Sequence, residues 1–419
     1  MQQERKKTKD KVIQFTCVGI LFLYIYFMVF GFMIVNMALL ALVILFFVNY
    51  KQSKEQLITY WTTNKTVLLI LLSTVGFQFV HGAITGDLSA KRFGFLGLLI
   101  VSAFVLSWVQ ELKLIAKIFL FCITLLLVAG SYNIYNYYVS AVEFDLSSGG
   151  HIDRMLIVNR PYLGFMLTIG ILTALYLTRI YTKYKLYYGG LSLLFLVYLV
   201  FIGNRIQVVS LVVLVLLYLL CYAKIKGIKK IGGFAFICLV VFLLFNYTPI
   251  LKKRFELDSL TTITQITERL EEKEPRVLIW KCAWSFTQEP SFQPFFGVGK
   301  VETLENKLRS CYDGISLQNP MRNYFIDAQF NTHNQFIEYY VLTGIIGGGL
   351  LLSLFCVVLV KVRRYFTPTA LTFALFNFCF VENLFNRQLG VYLFGFVLTF
   401  VLMLYQEEKK RIQAIENDK

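Results

Sequence analysis

The chain has 419 residues, 57% of them hydrophobic and 16% charged, where a soluble domain carries roughly 45–50% and about 25%. Too few polar side chains remain to cover a water-exposed surface, and the same figures exclude disorder, a collagen-like repeat and a small disulfide scaffold. A formal charge of +16 would suggest nucleic acid as a partner for a soluble protein; here the basic residues read as topology determinants, and no nucleic-acid partner is expected.

The composition describes an all-α polytopic membrane protein whose 16% aromatic residues suit anchoring at the bilayer interface. Met1 to Lys11 is basic, and the apolar stretch behind it is longer than a signal-peptide core and lacks a small-residue cleavage site, so it reads as an uncleaved anchor. A crossing helix needs about 20 mainly apolar residues. Twelve spans are predicted on that measure, at 12–30, 32–50, 66–82, 93–109, 114–138, 161–178, 186–203, 205–223, 231–249, 334–360, 369–384 and 388–405. The first two form one run divided near Gly31, and spans seven and eight are separated only by Gly203-Asn204-Arg205.

An even number of spans puts both termini on one side. Placing them in the cytoplasm assigns 24 of the 41 Lys and Arg to inner segments, Lys224, Lys226, Lys229, Lys230, Lys361, Arg363 and Arg364 among them. The short outer loops then hold six: Lys91, Arg92, Arg154, Arg160, Arg205 and Arg387. This asymmetry is what the positive-inside rule requires. The other eleven lie in one long outer segment, about 250–333, whose length frees it from that rule. The expected organisation is nine helices in 1–249, an outer (periplasmic) loop domain at 250–333, and three helices with a cytoplasmic tail in 334–419. Such a chain is a multi-pass membrane protein with both termini in the cytoplasm.

Within the loop, Leu260, Ile263, Ile266 and Leu270 recur at helical spacing on a polar stretch. The pattern fits either an interfacial helix or a packing helix inside the folded loop. A second helix is predicted from Arg276 past Trp284, with Arg276, Trp280 and Trp284 on one face. Cys282 and Cys311 are the two cysteines of the loop, the other six falling in apolar spans. On an oxidising side these two are either bonded to each other or free. No His/Cys cluster has metal-ligand spacing, so neither zinc nor another metal is expected. Gly297-Val298-Gly299-Lys300 lacks the first Gly and the final Ser or Thr of a phosphate-binding loop, and reads as a turn.

All three histidines, His81, His151 and His333, map to the outer face. His333 has the most informative setting. Thr332 and Gln335 match a capping box, which would make His333 the first helical residue of span ten. Near the positive end of a helix dipole an imidazole tends to stay neutral and available as a base. Arginines at the outer helix ends are the next signal, because a charge at membrane depth is retained mostly where it faces a polar cavity. Arg205 stands in the turn before span eight, Arg160 before span six and Arg387 before span twelve, while Arg276 lies in the loop beside Glu271, Glu272 and Glu274. Each alone is as well explained by snorkelling or a loop ion pair. Together they form planar forks suited to phosphate oxygens. Glu382, at the outer end of span eleven, is expected to pair with Arg387 or to orient another group. A neutral base among arginines on the side without ATP points to a lipid-anchored donor with a phosphate or pyrophosphate leaving group, and to an acceptor hydroxyl deprotonated by the histidine.

Three stretches then resemble the O-antigen ligase and O-antigen polymerase superfamily of bacterial membrane glycosyltransferases. They are Asn204-Arg205; Arg276-Val-Leu-Ile-Trp280 with Pro294-Phe-Phe-Gly-Val-Gly299; and Thr332-His333-Asn334-Gln335-Phe336 with Gly344 and Gly347 downstream. The first departs from the family's usual Ser-Arg. The resemblance covers mainly residues 200–350. It implies a C-type membrane glycosyltransferase fold, a glycan donor on undecaprenyl pyrophosphate, and inverting, metal-independent transfer without a cofactor. By the same resemblance His333 would be the base or acceptor-orienting residue, and Arg205 and Arg276 would bind the pyrophosphate. Arg160, Asn334, Glu382, Arg387 and Gln388 stand as secondary candidates. Members divide by acceptor: a lipid A core sugar for ligases, a lipid-linked repeat for polymerases, a protein hydroxyl for oligosaccharyltransferases. The single large loop favours the ligase arrangement. A non-catalytic flippase for lipid-linked sugars is the alternative of another class, although such folds usually show two related halves and a midplane site.

Overall fold

The computed structural model describes residues 2–30, 32–87, 89–108, 111–140, 155–223, 227, 230, 232–235, 274–315, 322–328 and 330–417. Among these, every regular element is helical, apart from a lone antiparallel bridge between Gln293 and Gly297. In chain order the helices are α1 (Gln2–Phe27), α2 (Phe32–Val48), α3 (Tyr50–Thr85), α4 (Ala90–Val105), α5 (Leu112–Ser140), α6 (Arg160–Ile180), α7 (Lys185–Phe201) and α8 (Arg205–Leu217). The outer loop contributes α9 (Pro275–Ser285), α10 (Val301–Asp313) and α11 (Arg322–Ala328), and the chain closes with α12 (Gln335–Val362), α13 (Phe366–Val381) and α14 (Gln388–Asn417).

Among the described residues, seven helices are long and apolar enough to cross a membrane, and Phe15–Phe27, Met33–Val48 and Phe366–Val381 are shorter apolar ones. The protein is an all-α polytopic membrane protein. Most of the predicted ninth span, the stretch from Leu260 to Leu270, His151, Glu271 and Glu272 lie outside the described residues. Helix ends differ from the sequence reading where polar turns continue a helix beyond the bilayer. Thus α3 begins at Tyr50 rather than 66, and α14 runs on to Asn417. Lys, Glu and Gln are good helix formers, so the hydropathy signal stops before the helix does.

The centre of the bundle is α6 and α14. Tyr162, Phe165, Met166, Leu167 and Ile169 of α6 and Val391, Phe394, Val397, Phe400 and Val401 of α14 are all buried. Lipid tails are as apolar as these side chains, so close contact rather than water exclusion holds such helices together. A Cβ on Gly164 would stand 1.9 Å from Asn204 Nδ2, and one on Gly395 would stand 2.6 Å from Ser102 Cβ. In contrast, α7 turns Leu186, Tyr187, Leu193 and Val197 outward, as a lipid-facing helix does.

The loop between α8 and α12 has a core of its own, and it is stitched to α12. Leu278, Ile279 and Ala283 of α9 pack with Leu304, Leu308 and Tyr312 of α10, Phe325 of α11, and Val341 and Leu342 of α12. A disulfide joins Cys282 on α9 to Cys311 on α10, with Cα atoms 5.9 Å apart. Helix α12 is itself broken at Gly344 (φ 68°, ψ −166°). The loop supplies what the break removes: Val298 N donates to Val341 O (2.9 Å), Gly299 N to Leu342 O (3.0 Å), and Ile345 N to Pro294 O (2.8 Å). Backbone approaches so closely that a Cβ on Gly344 would lie 2.2 Å from the Phe295 carbonyl carbon, and one on Gly297 (φ 70°) would lie 2.4 Å from Val341 O. Non-helical backbone at membrane depth survives only where its polar groups are satisfied inside the protein. The Gly297–Lys300 stretch is therefore a turn that repairs a helix.

Candidate active site

Four elements meet where α12 begins. Helix α9 lies across this mouth on the face that carries Arg276, Trp280 and Trp284. Trp280 Nε1 donates to Thr332 O (3.1 Å), and the Trp284 ring stacks on Tyr340 with centroids 5.9 Å apart. Arg276 reaches the end of α13, donating from Nε to Val381 O (3.2 Å) and pairing through Nη2 with Glu382 Oε1 (3.4 Å).

Glu382 Oε1 also faces His333 Nδ1 at 3.5 Å. One carboxylate oxygen thus meets both the imidazole and the guanidinium. The chain of charges continues outward: Arg276 Nη1 pairs with Glu274 Oε1 (3.2 Å), and Glu274 Oε2 with Arg205 Nη2 (2.8 Å). Side-chain exposure rises from 4% at Glu382 and 15% at His333 to 29% at Glu274. The line is thus most deeply buried at Glu382 and most open at Glu274, with Arg205 at 19%. Burial works against charge on Glu382, but the His333 ring and the guanidiniums of Arg276 and Arg387 outweigh it and hold this carboxyl below the usual carboxylate range.

The local sequence explains the placement. Glu274 precedes Pro275, the first residue of α9, and makes no cap hydrogen bond with its side chain; its carboxylate is taken by the two arginines. Arg205 is the first residue of α8. The Asn204 side chain caps that helix by accepting from Gln207 N (3.3 Å) and ties it to α6 by donating to Arg160 O (2.8 Å). Arg160 and Arg276 both lie within electrostatic reach of Arg205.

The capping box expected at Thr332 and Gln335 is not formed. Asn334 is the N-cap, its Oδ1 accepting from Phe336 N (2.9 Å) and Ile337 N (3.0 Å), while Gln335 Oε1 accepts from Phe385 N (2.9 Å). His333 accordingly stands before the cap, outside the first helical turn. It has left-handed backbone (φ 44°), the sole positive-φ residue other than glycine among those described. The Asn331 side chain holds this conformation by accepting from His333 N at 3.0 Å. What faces its ring is a carboxylate rather than a helix dipole. Thr332 is spent on a buried network instead: Thr332 Oγ1 donates to Glu338 Oε2 (2.7 Å), as does Asn383 Nδ2 (2.9 Å), and Asn386 Nδ2 donates to Glu338 Oε1 (2.7 Å). A buried carboxylate satisfied by three neutral donors is costly to disturb. This one locks the start of α12 to the turn that carries Glu382.

Of the sequence candidates, the structure brings together His333, Glu382, Arg276 and Arg205, with Arg160 beside them. Glu382 takes Arg276 and His333 as its ion-pair partners. Arg387 acts on it from farther off, with its guanidinium 5.9 Å from the centre of the Tyr162 ring. Asn334 serves the helix cap. Gln388 turns to α2, where Nε2 donates to Asn36 Oδ1 at 3.3 Å, and takes no part in the cluster. Glu338, Asn383 and Asn386 were missed. Glu338 had a legible signal, a carboxylate at the head of an apolar span; amides in a polar turn had none.

The protein is thus a helical bundle of membrane-spanning type that carries a charged His–Glu–Arg line where one loop meets three helix ends. The family model described as O-Antigen ligase matches residues 190–352, from α7 through the loop and into α12. Over that stretch, 163 of the 419 residues, the chain is similar to O-antigen ligases. Comparison with curated proteins finds no match.

Proposed function

We propose that the protein is an O-antigen ligase-like glycosyltransferase of the bacterial inner membrane, with both termini cytoplasmic, that moves a glycan from undecaprenyl pyrophosphate to a sugar hydroxyl of the lipid A core at the periplasmic face. The unbroken line His333–Glu382–Arg276–Glu274–Arg205 carries this reading. Transfer of this kind needs a base beside cationic groups that stabilise a departing diphosphate, and the line supplies both within a few ångströms.

In the proposed reaction the Glu382 carboxylate accepts a hydrogen bond from His333 Nδ1–H, which leaves Nε2 free to take the proton of the acceptor hydroxyl and balances the imidazolium that forms. The hydroxyl oxygen attacks the anomeric carbon, the bond from that carbon to the phosphate oxygen breaks, and the electron pair leaves with the diphosphate. Attack opposite the leaving group inverts the configuration. Arg276 and Arg205 balance the charge that develops on the diphosphate, for which their planar donor sets suit paired oxygens. Nothing in this scheme calls for a metal or a cofactor.

The test is transfer by purified protein given lipid-linked donor and each acceptor separately. Product with lipid A core, lost in His333→Ala, is the expected result. Product only with a second lipid-linked repeat would make the enzyme a polymerase, and product only with a protein hydroxyl would make it an oligosaccharyltransferase. Undiminished transfer by His333→Ala would remove the histidine from the site. Movement of the lipid-linked sugar across vesicles without any new glycosidic bond would make the protein a flippase.

A further inference from the structure

At the end of the bundle opposite His333, a cavity of about 300 Å³ opens between the start of α5, the end of α6 and the extension of α14. Its walls carry Lys113, Tyr176, Arg179, Glu407, Glu408 and Arg411. Beside it, an apolar groove of about 420 Å³ runs between α1 and α5, walled by Phe15, Val18, Phe22, Ile118 and Phe121 with Lys117 at its head. Lys113 and Lys117 are one turn apart on the same face of α5. The Lys117 ammonium lies 4.4 Å from the centre of the Tyr181 ring, immediately after the residues of α6 that line the cavity. Cavity and groove therefore share a rim.

The two compartments differ sharply in chemistry. Four cations, Lys113, Lys117, Arg179 and Arg411, face three carboxylates, Glu407 and Glu408 in the cavity wall and Glu111 within electrostatic reach of Lys117. The ion pair between Lys113 and Glu407 is 3.8 Å long, with both side chains 44% exposed, a contact worth little in solvent. Positive charge is thus in excess at the level of the helix ends. The groove runs along one turn of α5, from Lys117 to Phe121, and two turns of α1, from Phe15 to Phe22, about 10 Å, and the Phe22 and Phe121 rings meet at 6.0 Å. A soluble anion would use only the cavity. A zwitterionic lipid would gain little from the cations.

We propose that this bipartite site holds an anionic phospholipid, with its phosphate among Lys113, Arg179 and Arg411 and one acyl chain in the α1–α5 groove. Basic pockets between helices at the headgroup level are the usual way in which membrane proteins hold such lipids. With the transfer site on the outer face, the lipid belongs to the inner leaflet. The leaflet rests on the sidedness proposed above; the binding of the lipid does not.

The experiment is native mass spectrometry of the full-length protein, released from mixed micelles that contain equal amounts of phosphatidylglycerol and phosphatidylcholine. Preferential retention of phosphatidylglycerol is expected. It should fall roughly tenfold or more in the Lys113→Gln/Arg179→Gln variant, and should be unchanged in Lys54→Gln, whose lysine lies at the same end of the bundle outside both compartments. Phe121→Ala should weaken retention without abolishing the preference for negative charge. Equal retention of the two lipids would overturn the proposal, as would a preference that survives the double substitution. Displacement of the lipid by glycerol phosphate at similar concentration would overturn it as well, since the site would then recognise a free phosphate.

Discussion

Glu382 and His333 approach within 3.5 Å, the carboxylate almost wholly buried and the ring at the surface of the site. This is the geometry of an acid that fixes which ring nitrogen carries the proton. An amide in its place cannot balance an imidazolium. Glu382→Gln is therefore expected to lower kcat by about 10²-fold or more, with a smaller change in the KM for donor. A change confined to KM would assign Glu382 to substrate binding through Arg276 instead.

The same carboxylate makes stability depend on pH. Its pKa is depressed in the folded protein, so its contribution is fully present above the unfolded value of about 4.3 and fades as pH falls through the folded one. Thermal unfolding of the wild type and of Glu382→Gln should differ most near pH 7 and converge on acidification. A gap that stayed constant over that range would refute the linkage.

Glu274 bridges Arg205 and Arg276 in the seat assigned above to the diphosphate, and the two anions must compete for it. Glu274→Gln should make inorganic pyrophosphate a stronger inhibitor of transfer, by roughly tenfold for one charge removed. Arg276→Lys should have the opposite effect, because an ammonium cannot reproduce the fork. Weaker inhibition in Glu274→Gln would show that the bridge serves to position the arginines.

His333 occupies backbone space that suits Asn or Gly better, a conformation costing of order 1 kcal/mol or more in a residue of its kind. His333→Asn should abolish transfer while leaving the unfolding temperature unchanged or slightly raised. A marked loss of stability in that variant would mean that the ring is needed for packing rather than for chemistry.

Gly344 and Gly349 lie on the same helix but in opposite circumstances. A Cβ at Gly344 would enter the Phe295 backbone, whereas one at Gly349 meets nothing within 4 Å. Gly344→Ala should destabilise the protein by more than about 2 kcal/mol, and Gly349→Ala should be neutral or mildly stabilising. Denaturation of the two variants in the same detergent makes the comparison.

Much of the bundle was legible because a bilayer demands long apolar runs, and hydropathy counts them. The ends of α3 and α14 were not, since their polar turns carry a helical signal without an apolar one. In the site, His333, Arg205, Arg276 and Glu382 could be singled out by charge at the outer helix ends. Their order along one line could not, because Glu274 looked like one carboxylate of an acidic run. The N-cap was placed two residues early for a physical reason: Thr332 and Asn334 are both good caps. The choice between them was made by Glu338 and Asn383, nearly fifty residues apart in sequence, which claim the threonine hydroxyl.

The broken α12 has a consequence for biogenesis. Pro294 to Gly299 leaves the ribosome before α12 does, yet the carbonyls it completes belong to that later helix. The loop segment must wait, with its amides exposed to water, until α12 arrives and closes around it. The final assembly of the protein is therefore post-insertional, and it joins a turn of the loop to a helix already in lipid.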